Sequence, residues 1–418
     1  MSSRAGSRER SATTPETDRR SGPLGALCVA TGISLVGNQL TALALPWLVL
    51  TTLGPPIDAG IVGAAIVLPA VFGALAGGVV IDRFGPRRTS VVADILSGAA
   101  VVAVPIAAMT VGLGLALVVV LAFLGALLDA PGQTARQVLL PDLAGIGRVR
   151  LERANAIFQA IENGSLLVGP AIAGVIVLAV GPLGALWLDA ISFLVSAVLI
   201  RLLVPDIRPA ADGPADIAAG IRALATDPVL RMLTVVAAIA NLVFTPLFIV
   251  VLPALATASG ESPAALGAML AVLGAGMVVG ALAIGLLAGR VRRRTVLVIG
   301  FVGTGAALIV ASVAVPLPVL LVALGGAGLA SGLINPIAFT VMQERVPAAT
   351  RGRVFGAVLG GVLVAAPVGM VALGAIADVA GPRTALWISG VAIVAIGGLV
   401  AILRASRELD AAQAPQPA

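Results

Sequence analysis

Long apolar runs recur along this chain and limit what it can fold into more than any other feature. Twelve such runs, each of roughly 20 residues or more, follow one another between Leu24 and Leu403, and each can cross a hydrocarbon core of about 30 Å as a helix. With 59% hydrophobic and 11% charged residues, the composition also lies outside the range of soluble domains. The sequence therefore predicts an all-α membrane protein with twelve transmembrane helices.

A polar segment divides these runs into two sets of six. It covers residues 206–229 and contains four aspartates. We expect it to be a cytoplasmic linker between six-helix bundles at 23–205 and 230–404, with a disordered cytoplasmic tail at 1–22 and a second cytoplasmic tail at 405–418. The predicted spans lie near residues 24–51, 57–81, 89–111, 113–138, 154–179, 183–204, 230–257, 264–289, 295–314, 317–342, 354–376 and 384–403.

The arginines predict the orientation of the chain, because positively charged short loops stay in the cytoplasm. With the N-terminus inside, 25 of the 26 arginines fall in cytoplasmic segments, and only Arg383 lies outside. The three tryptophans, Trp47, Trp187 and Trp387, then fall at outer helix ends, where an aromatic belt is expected. We therefore expect a multi-pass protein of the plasma membrane with both termini in the cytoplasm.

Missing residue types exclude several classes of function. All 26 basic residues are Arg, and the chain has no Lys, His or Tyr. Without Lys it lacks a Walker A loop, and without His it lacks the H-E-x-x-H zinc site and the Ser-His and Cys-His hydrolase arrangements. Its single cysteine, Cys28, allows no intramolecular disulfide. The arginines do not form the basic face of a nucleic-acid-binding domain. We expect no enzyme activity, no metal or other cofactor, no ATPase subunit and no nucleic-acid partner.

The two sets of spans also resemble each other in sequence. GPLGALW at 181–187 recurs as GPRTALW at 381–387. GGVVIDRFGPRRT at 77–89 recurs as GLLAGRVRRRT at 285–295, with a glycine in place of the aspartate. Positions of span four recur in span ten, where Asp129, Gln137 and Pro141 match Asn335, Gln343 and Pro347. Two parallel six-helix repeats are typical of a large class of transporters.

The stretch at 77–89 resembles the cytoplasmic motif of the major facilitator superfamily, G-x-[LV]-x-D-R-x-G-x-[RK]-[RK]. The matching residues are Gly78, Val80, Asp82, Arg83, Gly85, Arg87 and Arg88. Together with the twelve spans, this match identifies residues 24–404 as similar to a transporter of that superfamily. The resemblance implies two pseudo-symmetric six-helix bundles that rock about a central site.

The same resemblance implies a role for Asp82. In the superfamily this acid caps the cytoplasmic start of span eleven, which here carries Arg351 and Arg353. A carboxylate at a helix N-terminus contributes about 0.3–1 kcal/mol, so the contact would latch the halves while the protein is open outward. We expect Asp94, in span three, to pair with loop arginines near this latch.

Further stretches are similar to the efflux branch that includes enterobactin exporters and macrolide-efflux proteins. They are LTALALPWLVL (40–50), LLPDL (139–143), RANAIFQAIENGSLLVGPAIAG (153–174), LDAISFLVSA (188–197) and ATRGRVFG (349–356). Gly169, Pro170 and Gly174 resemble the Gly-Pro signature in helix five of drug/proton antiporters. They are compatible with a gate or with small-residue packing, and we favour packing. The helix-four arginine of many antiporters is missing, because no Arg lies between Arg88 and Arg136.

Of the acids inside predicted spans, three stand out: Asp129, Glu162 and Asp189. A charge there costs about 2.5–3.5 kcal/mol on insertion scales, so each acid is a functional candidate. Asp189 is placed near the outer end of span six, close to water. Because spans one, four, seven and ten line the cavity of the superfamily, the resemblance places Asp129 and Asn335 on the transport path.

Asn38 and Asn241 lie near the middles of spans one and seven, where midplane sites are expected. With Asp129 and Asn335 they would form a polar ring in an apolar cavity. The alternative is structural, with each polar group bonding a neighbouring helix for about 0.6 kcal/mol.

Without a motor domain, transport requires an ion gradient, and a proton is the simplest ion. Asp129 or Glu162 could exchange a proton for cargo, since burial and nearby charges tune a carboxyl group. The apolar cavity favours export of a hydrophobic or amphipathic small molecule by alternating access, by a monomer in the lipid bilayer. An uptake symporter on the same scaffold, a membrane-embedded enzyme and a non-transporting sensor are the alternatives.

Overall fold

The computed structural model describes residues 22–207, 226–287, 291–313, 315–346 and 351–411. Side chains are not described at residues 70–79, 82, 152, 285–287, 343, 351–353, 355–357, 359 and 410–411. Within these ranges the chain forms twelve long helices, as the sequence predicts. Most of the predicted tails and of the linker lies outside the described residues.

Six of these helices form the N-half. They are α1 at Gly22–Leu48, which continues through a π-helical turn at Val49–Leu53, α2 at Pro56–Phe84, α3 at Pro86–Thr110, α4 at Leu115–Ile146, and the stretch Leu151–Leu203, which Gly181 divides into α5 (151–180) and α6 (182–203).

The other six helices form the C-half. They are α7 at Pro228–Ala258, with a π-helical turn at Leu247–Val251, α8 at Pro263–Leu287, α9 at Arg293–Ser312, α10 at Leu317–Gly332 and Ile334–Arg345, α11 at Arg351–Ala380, and α12 at Pro382–Ile402. A 3-10 turn at Arg404–Arg407 and a short helix at Glu408–Ala411 follow, and Leu409 is fully buried in the core of the C-half.

Gly-Pro pairs divide successive helices at three points of the chain. Gly85, Gly181 and Gly381 have φ angles of 82°, 75° and 87°. A glycine tolerates this left-handed conformation, and the proline that follows it suits the first turn of the next helix. The repeated Gly-Pro pairs therefore turn α2 into α3, α5 into α6, and α11 into α12.

Three hydrophobic cores show how the halves meet. We call the end that carries Gly22 and Ile402 the terminal end, and the opposite end the distal end. The largest core, which contains Leu45, Val177 and Leu266, combines residues of both halves at the distal end. At the terminal end each half has a core of its own. Among the described residues, the halves therefore share one hydrophobic core at the distal end and have separate cores at the terminal end.

Glycines bring helices of the two halves into backbone contact at the distal end. A Cβ at Gly174 of α5 would lie 2.6 Å from the Pro263 carbonyl oxygen and 2.9 Å from the Gly267 Cα of α8. A Cβ at Gly60 of α2 would collide with the Met370 carbonyl of α11. Small residues allow such close crossings in membranes. The distal end is therefore closed by two backbone-to-backbone helix crossings.

Candidate functional site

The N-half contains a cavity of about 460 Å³ between α1, α3, α4 and α6. Its lining is mostly apolar, and its polar side chains come from α1, α4 and α6: Asn38, Gln39, Thr41, Asp129, Gln133, Thr134 and Asp189. Three residues predicted from the sequence, Asn38, Asp129 and Asp189, are thus brought together around one space.

Asp129 is held by neutral donors. Asn38 of α1 donates through Nδ2 to Oδ2 of Asp129 at 3.1 Å. Gln133 lies one helical turn further along α4 and donates through Nε2 to the same oxygen at 3.3 Å. Neither donor carries a charge, so neither neutralises an ionised Asp129. The carboxylate can therefore accept a proton or a cation from the cavity.

Asp189 is fully buried between α1 and α6. The Thr41 hydroxyl donates to Oδ2 of Asp189, and the Ser192 hydroxyl donates to Oδ1 at 3.1 Å. The prediction that Asp189 lies close to water is wrong, because α1 covers the side chain. A carboxyl group in this position depends on hydroxyl donors instead of hydration.

Asp94 forms an ion pair inside the N-half. Its Oδ1 accepts a hydrogen bond from Nη2 of Arg136, and both side chains are fully buried. Arg136 also donates to the hydroxyl oxygens of Ser90 (3.2 Å) and Ser196 (3.1 Å). Because a buried charge needs a partner within reach, Arg136 rather than a loop arginine satisfies Asp94.

This pair corrects two predictions. Asp94 was expected to pair with loop arginines near the latch, and the structure places it against Arg136 of α4 instead. Helix four was expected to end at 138, with Arg136 near its cytoplasmic end and no arginine deeper in the helix. It continues to Ile146, with Pro141 inside it, and Arg136 lies within the helix.

The C-half contains a second cavity of about 460 Å³, which is more aromatic. Four phenylalanines and three methionines line it: Phe244, Phe248, Phe301, Phe339, Met232, Met277 and Met342. Asn241 and Asn335 also line it. Asn241 donates to the Val362 carbonyl at 2.8 Å and accepts from the Thr245 hydroxyl at 2.6 Å. The four residues of the predicted polar ring therefore lie as two pairs, one in each half.

Glu162 lies outside the residues that line the two cavities. On α5, it accepts hydrogen bonds from the side-chain amides of Gln159 at 2.5 Å and Gln137 at 3.5 Å. The second of these bonds links α5 to α4. Glu162 is therefore placed between two helices, separate from Asp129.

The motif at 77–89 links helices of the N-half. Arg87 donates to the carbonyl oxygen of Arg201 at the end of α6, and Arg88 lies 3.6 Å from Asp206. In the C-half, Arg294 donates likewise to the Ala401 carbonyl at the end of α12. Cations are favourable at helix C-termini. The arginines of both copies therefore join two helices within one half.

The predicted latch lies outside the described residues. The side chains of Asp82, Arg351 and Arg353 are not described. Gly78 lies within α2, and Arg83 is exposed at the end of that helix. The latch stays a prediction.

The Gly-Pro motif of α5 packs against both halves. At Gly169 a Cβ would collide with the Gln39 side chain of α1, and at Gly174 it would meet the backbone of α8. In turn, a Cβ on Gly267 of α8 would lie 2.6 Å from the carbonyl oxygen of Pro170. The motif thus packs closely against α1 and α8, and it lies at the crossing that closes the distal end.

The comparisons with known proteins agree with this architecture. A family model described as the Major Facilitator Superfamily matches residues 27–249 and 236–418. Multidrug efflux pump Tap of Mycolicibacterium fortuitum is 34% identical over 410 residues, which cover 96% of this chain and 100% of that protein. Enterobactin exporter EntS of Citrobacter koseri is 25% identical over 391 residues, which cover 90% and 91%.

Among solved structures, a bacterial homolog of the human lysosomal transporter Spinster has the same fold. It aligns with a TM-score of 0.77 at 14% identity, over 97% of this chain and 100% of that one. The predicted resemblance to the superfamily and to its efflux branch is confirmed. The chain belongs to the major facilitator superfamily of membrane transporters.

Proposed function

We propose that this chain exports hydrophobic or amphipathic small molecules, including cations, across the plasma membrane in exchange for protons and without changing them chemically. The names of its relatives, a multidrug efflux pump and an enterobactin exporter, support a drug, siderophore or other secondary metabolite as cargo. Two features carry the proposal: the carboxylate Asp129, which has neutral hydrogen-bond donors and no ion-pair partner among the described residues of one half, and an aromatic, methionine-lined cavity in the other half.

The two cavities suit the two parts of an amphipathic cation. Asp129 supplies negative charge in an apolar surrounding, where a cation is attracted more strongly than in water. Phe244, Phe248 and the neighbouring methionines offer a polarisable surface to an apolar or planar body. A cargo that displaces the proton of Asp129 would couple its own movement to the proton gradient. Glu162 is a second acid that the proton could reach.

Alternating access follows from the closed distal end. If the N-terminus is cytoplasmic, as the arginines predict, the terminal end, where each half has its own core, faces the cytoplasm, and an exporter collects cargo there. Opening to the other side requires the glycine crossings of α5 with α8 and of α2 with α11 to separate. The latch between Asp82 and the start of α11 would then form. Each monomer contains both halves of this cycle.

Reconstituted vesicles with an imposed pH gradient test the proposal. Ethidium, a planar aromatic monocation, is a suitable probe, and its movement is followed by fluorescence. We expect ethidium to move against the proton flux with the unaltered protein, and gradient-driven movement to be lost in Asp129→Asn. Ser389→Ala, outside both cavities, is the control and should transport normally. Asp129→Asn with an unchanged rate and pH dependence would refute the coupling role, and movement with the protons would indicate an uptake symporter.

A further inference from the structure

We propose that Asp189 is a second proton-binding carboxylate of the N-half cavity, paired with Asp129 across α1, so that the transporter accepts dications as well as monocations. The inference rests on the proposed function, because it assumes proton exchange at Asp129. It adds a second exchanging site and a limit on the charge of the cargo. A monocation displaces one proton from this pair, and a dication displaces two.

Asp189 is built into the cavity wall without a cationic partner. Its side chain is fully buried and accepts hydrogen bonds from the hydroxyl groups of Thr41 and Ser192. Gly37 makes room for it, since a Cβ there would overlap both Asp189 and Ser192. A charged carboxylate in such a place is costly, whereas a protonated one is tolerated.

Helix α1 connects the two carboxylates. Asn38 donates to Asp129 of α4, and Thr41 donates to Asp189 of α6. Residues three apart lie on the same helix face, so one face of α1 supplies a donor to each acid. Both acids line the same cavity. Two carboxylates in one apolar space oppose each other's ionisation and titrate as a pair.

Arg136 lies two turns from Asp129 along α4 and attracts that carboxylate through space, but among the described residues it forms no ion-pair contact with Asp129 or Asp189. Arg136 contacts Ser196, two turns along α6 from Asp189, or about 10 Å along the helix axis. That arginine is already bound to Asp94 of α3. The described interior of the N-half thus contains three acids (Asp94, Asp129 and Asp189) and a single arginine. Two bound protons, or two positive charges on the cargo, would balance the remaining negative charge of these three acids and one arginine.

A polar stripe on α1 leads from the terminal end toward Asp189. Thr31, Ser34, Asn38 and Thr41 are spaced by three, four and three residues, which places them on one face. Thr31 and Ser34 are fully buried, and their hydroxyl groups have no hydrogen-bond partner in the described structure. A row of hydroxyl groups inside an apolar bundle offers a proton a path to the acid.

The internal repeat provides a matched control. In the alignment of GPLGALW with GPRTALW, Asp189 corresponds to Ser389 of α12. Ser389 is also fully buried, and it donates to the Ala385 carbonyl at 2.7 Å within its own helix. The C-half therefore has a buried polar residue at this position that does not bind a proton as a carboxylate does. Ser389→Ala tests the effect of removing a buried polar group without removing a proton-binding site.

Ligand-induced proton release tests the inference on the purified full-length protein. Ethidium and propidium share a phenanthridinium ring system, but the first carries one positive charge and the second carries two. Each is added to weakly buffered, detergent-solubilised protein, and the released protons are counted with an indicator dye. We expect one proton per ethidium and two per propidium. In Asp189→Asn, ethidium should still release one proton, while propidium should release one or bind at least tenfold more weakly.

The outcomes separate this inference from the function on which it rests. If propidium releases two protons and binds equally well in Asp189→Asn, or releases one in the unaltered protein, Asp189 is not the second site, and Asp129 coupling stands. If both dyes bind the unaltered protein without releasing protons, the proposed coupling itself fails. Should Asp189→Asn not fold, Thr41→Val serves instead. Loss of its hydroxyl donor should shift propidium-induced release of the second proton to higher pH, while the count for ethidium stays at one proton.

Discussion

The two halves of the molecule share one helix order and place different chemistry at matching positions. In the N-half, Asp94, Asp129, Arg136 and Asp189 lie inside the bundle, and in the repeat alignment their counterparts in the C-half are Gly300, Asn335, Met342 and Ser389. Each of these four charged positions of the N-half is thus neutral in the C-half. The N-half is equipped to exchange charge, and the C-half is equipped to contact an apolar body.

Close helix packing in the C-half takes the place of the buried ion pair of the N-half. Where Asp94 pairs with Arg136, its counterpart Gly300 lets α9 approach α10, since a Cβ there would lie 2.8 Å from Cγ1 of Ile334. The C-half does have ion pairs, but at its terminal end, where Arg293 meets Glu344 and Arg345 meets Asp227. One scaffold therefore supports either a buried ion pair or a close helix crossing at the same place.

The largest effect should come from replacing the buried arginine with its C-half counterpart. Arg136→Met leaves Asp94 buried without a charged partner, and breaking a buried pair in this way costs about 3–5 kcal/mol. We expect a marked fall in the unfolding midpoint of the detergent-solubilised protein and lower expression. Thermal unfolding followed by circular dichroism measures it.

A second substitution distinguishes the loss of the ion pair from the change in side-chain volume at position 136. Adding Asp94→Asn to Arg136→Met removes the unpaired charge, so the double variant should recover at least half of the lost stability. Arg293→Met, which disrupts a pair whose Glu344 side chain is 41% exposed, should cost about 1 kcal/mol or less. Equal losses for Arg136→Met and Arg293→Met would contradict the difference between the halves.

This ion pair also shows where sequence reasoning stops. Apolar runs and the positions of arginines were enough to predict twelve helices, because bilayer thickness sets their length. Arg136 counts among the cytoplasmic arginines because it lies near the cytoplasmic end of the predicted span 113–138. Ser90 and Asp94, one turn apart on α3, were the available signal, but their partner on α4 depends on how the helices cross.

The cavity residues show the same limit. Asn38, Asp129 and Asp189 could be selected as costly polar groups within spans. The sequence did not predict that Asn241 and Asn335 would line a separate cavity. That separation depends on the distance between the halves, which the local spacing of residues does not encode. The burial of Asp189 depends likewise on Gly37, whose importance appears only when α1 and α6 are placed together.

The next effect concerns the contact between the halves. In Gly174→Ala the new Cβ would lie 2.6 Å from the Pro263 carbonyl oxygen, so α5 and α8 must separate. Overpacking of this kind costs about 1–3 kcal/mol, and it applies only while the distal end is closed. We expect ethidium transport to fall about tenfold as the population shifts toward the open distal end.

Gly164→Ala is the control on the same helix, because a Cβ at Gly164 has no neighbour within 4 Å. Its transport should stay within about twofold of the unaltered protein, given that surface substitutions usually change stability by about 0.5 kcal/mol or less. Equal transport by the two alanine variants would show that the α5 and α8 crossing does not take part in the cycle.

A smaller effect is expected in the apolar cavity of the C-half. Phe244→Ala removes aromatic surface from the cargo site, and a contact worth about 1.4 kcal/mol corresponds to a tenfold weaker Kd for ethidium. The number of protons released per ethidium should not change, since the carboxylates lie in the N-half. Phe84→Ala, on an exposed side chain outside both cavities, should leave Kd unaltered. A change in proton count with Phe244→Ala would break the division of roles between the halves.

The smallest effect lies at the terminal end of the C-half, where charge faces water. Asp227 caps α7 by accepting from the backbone N–H groups of Leu230 and Val229, and it also pairs with Arg345. Partial burial raises the pKa of Asp227, but these hydrogen bonds and the arginine outweigh burial and hold the pKa below its ordinary value of 3.8. A carboxyl group whose pKa is lower in the folded state stabilises the fold above its unfolded pKa, and that contribution is lost as the pH falls through the folded value.

Asp227→Ala should therefore lower the free energy of unfolding by about 1 kcal/mol at pH 7, and the difference should shrink as the pH falls below 3.8. Asp227→Asn keeps a capping oxygen without the charge, so it should lose less at pH 7 and vary less with pH. Denaturant unfolding at several pH values measures both variants, and a pH-independent loss for Asp227→Ala would mean that packing, and not the capped charge, stabilises this end of the C-half.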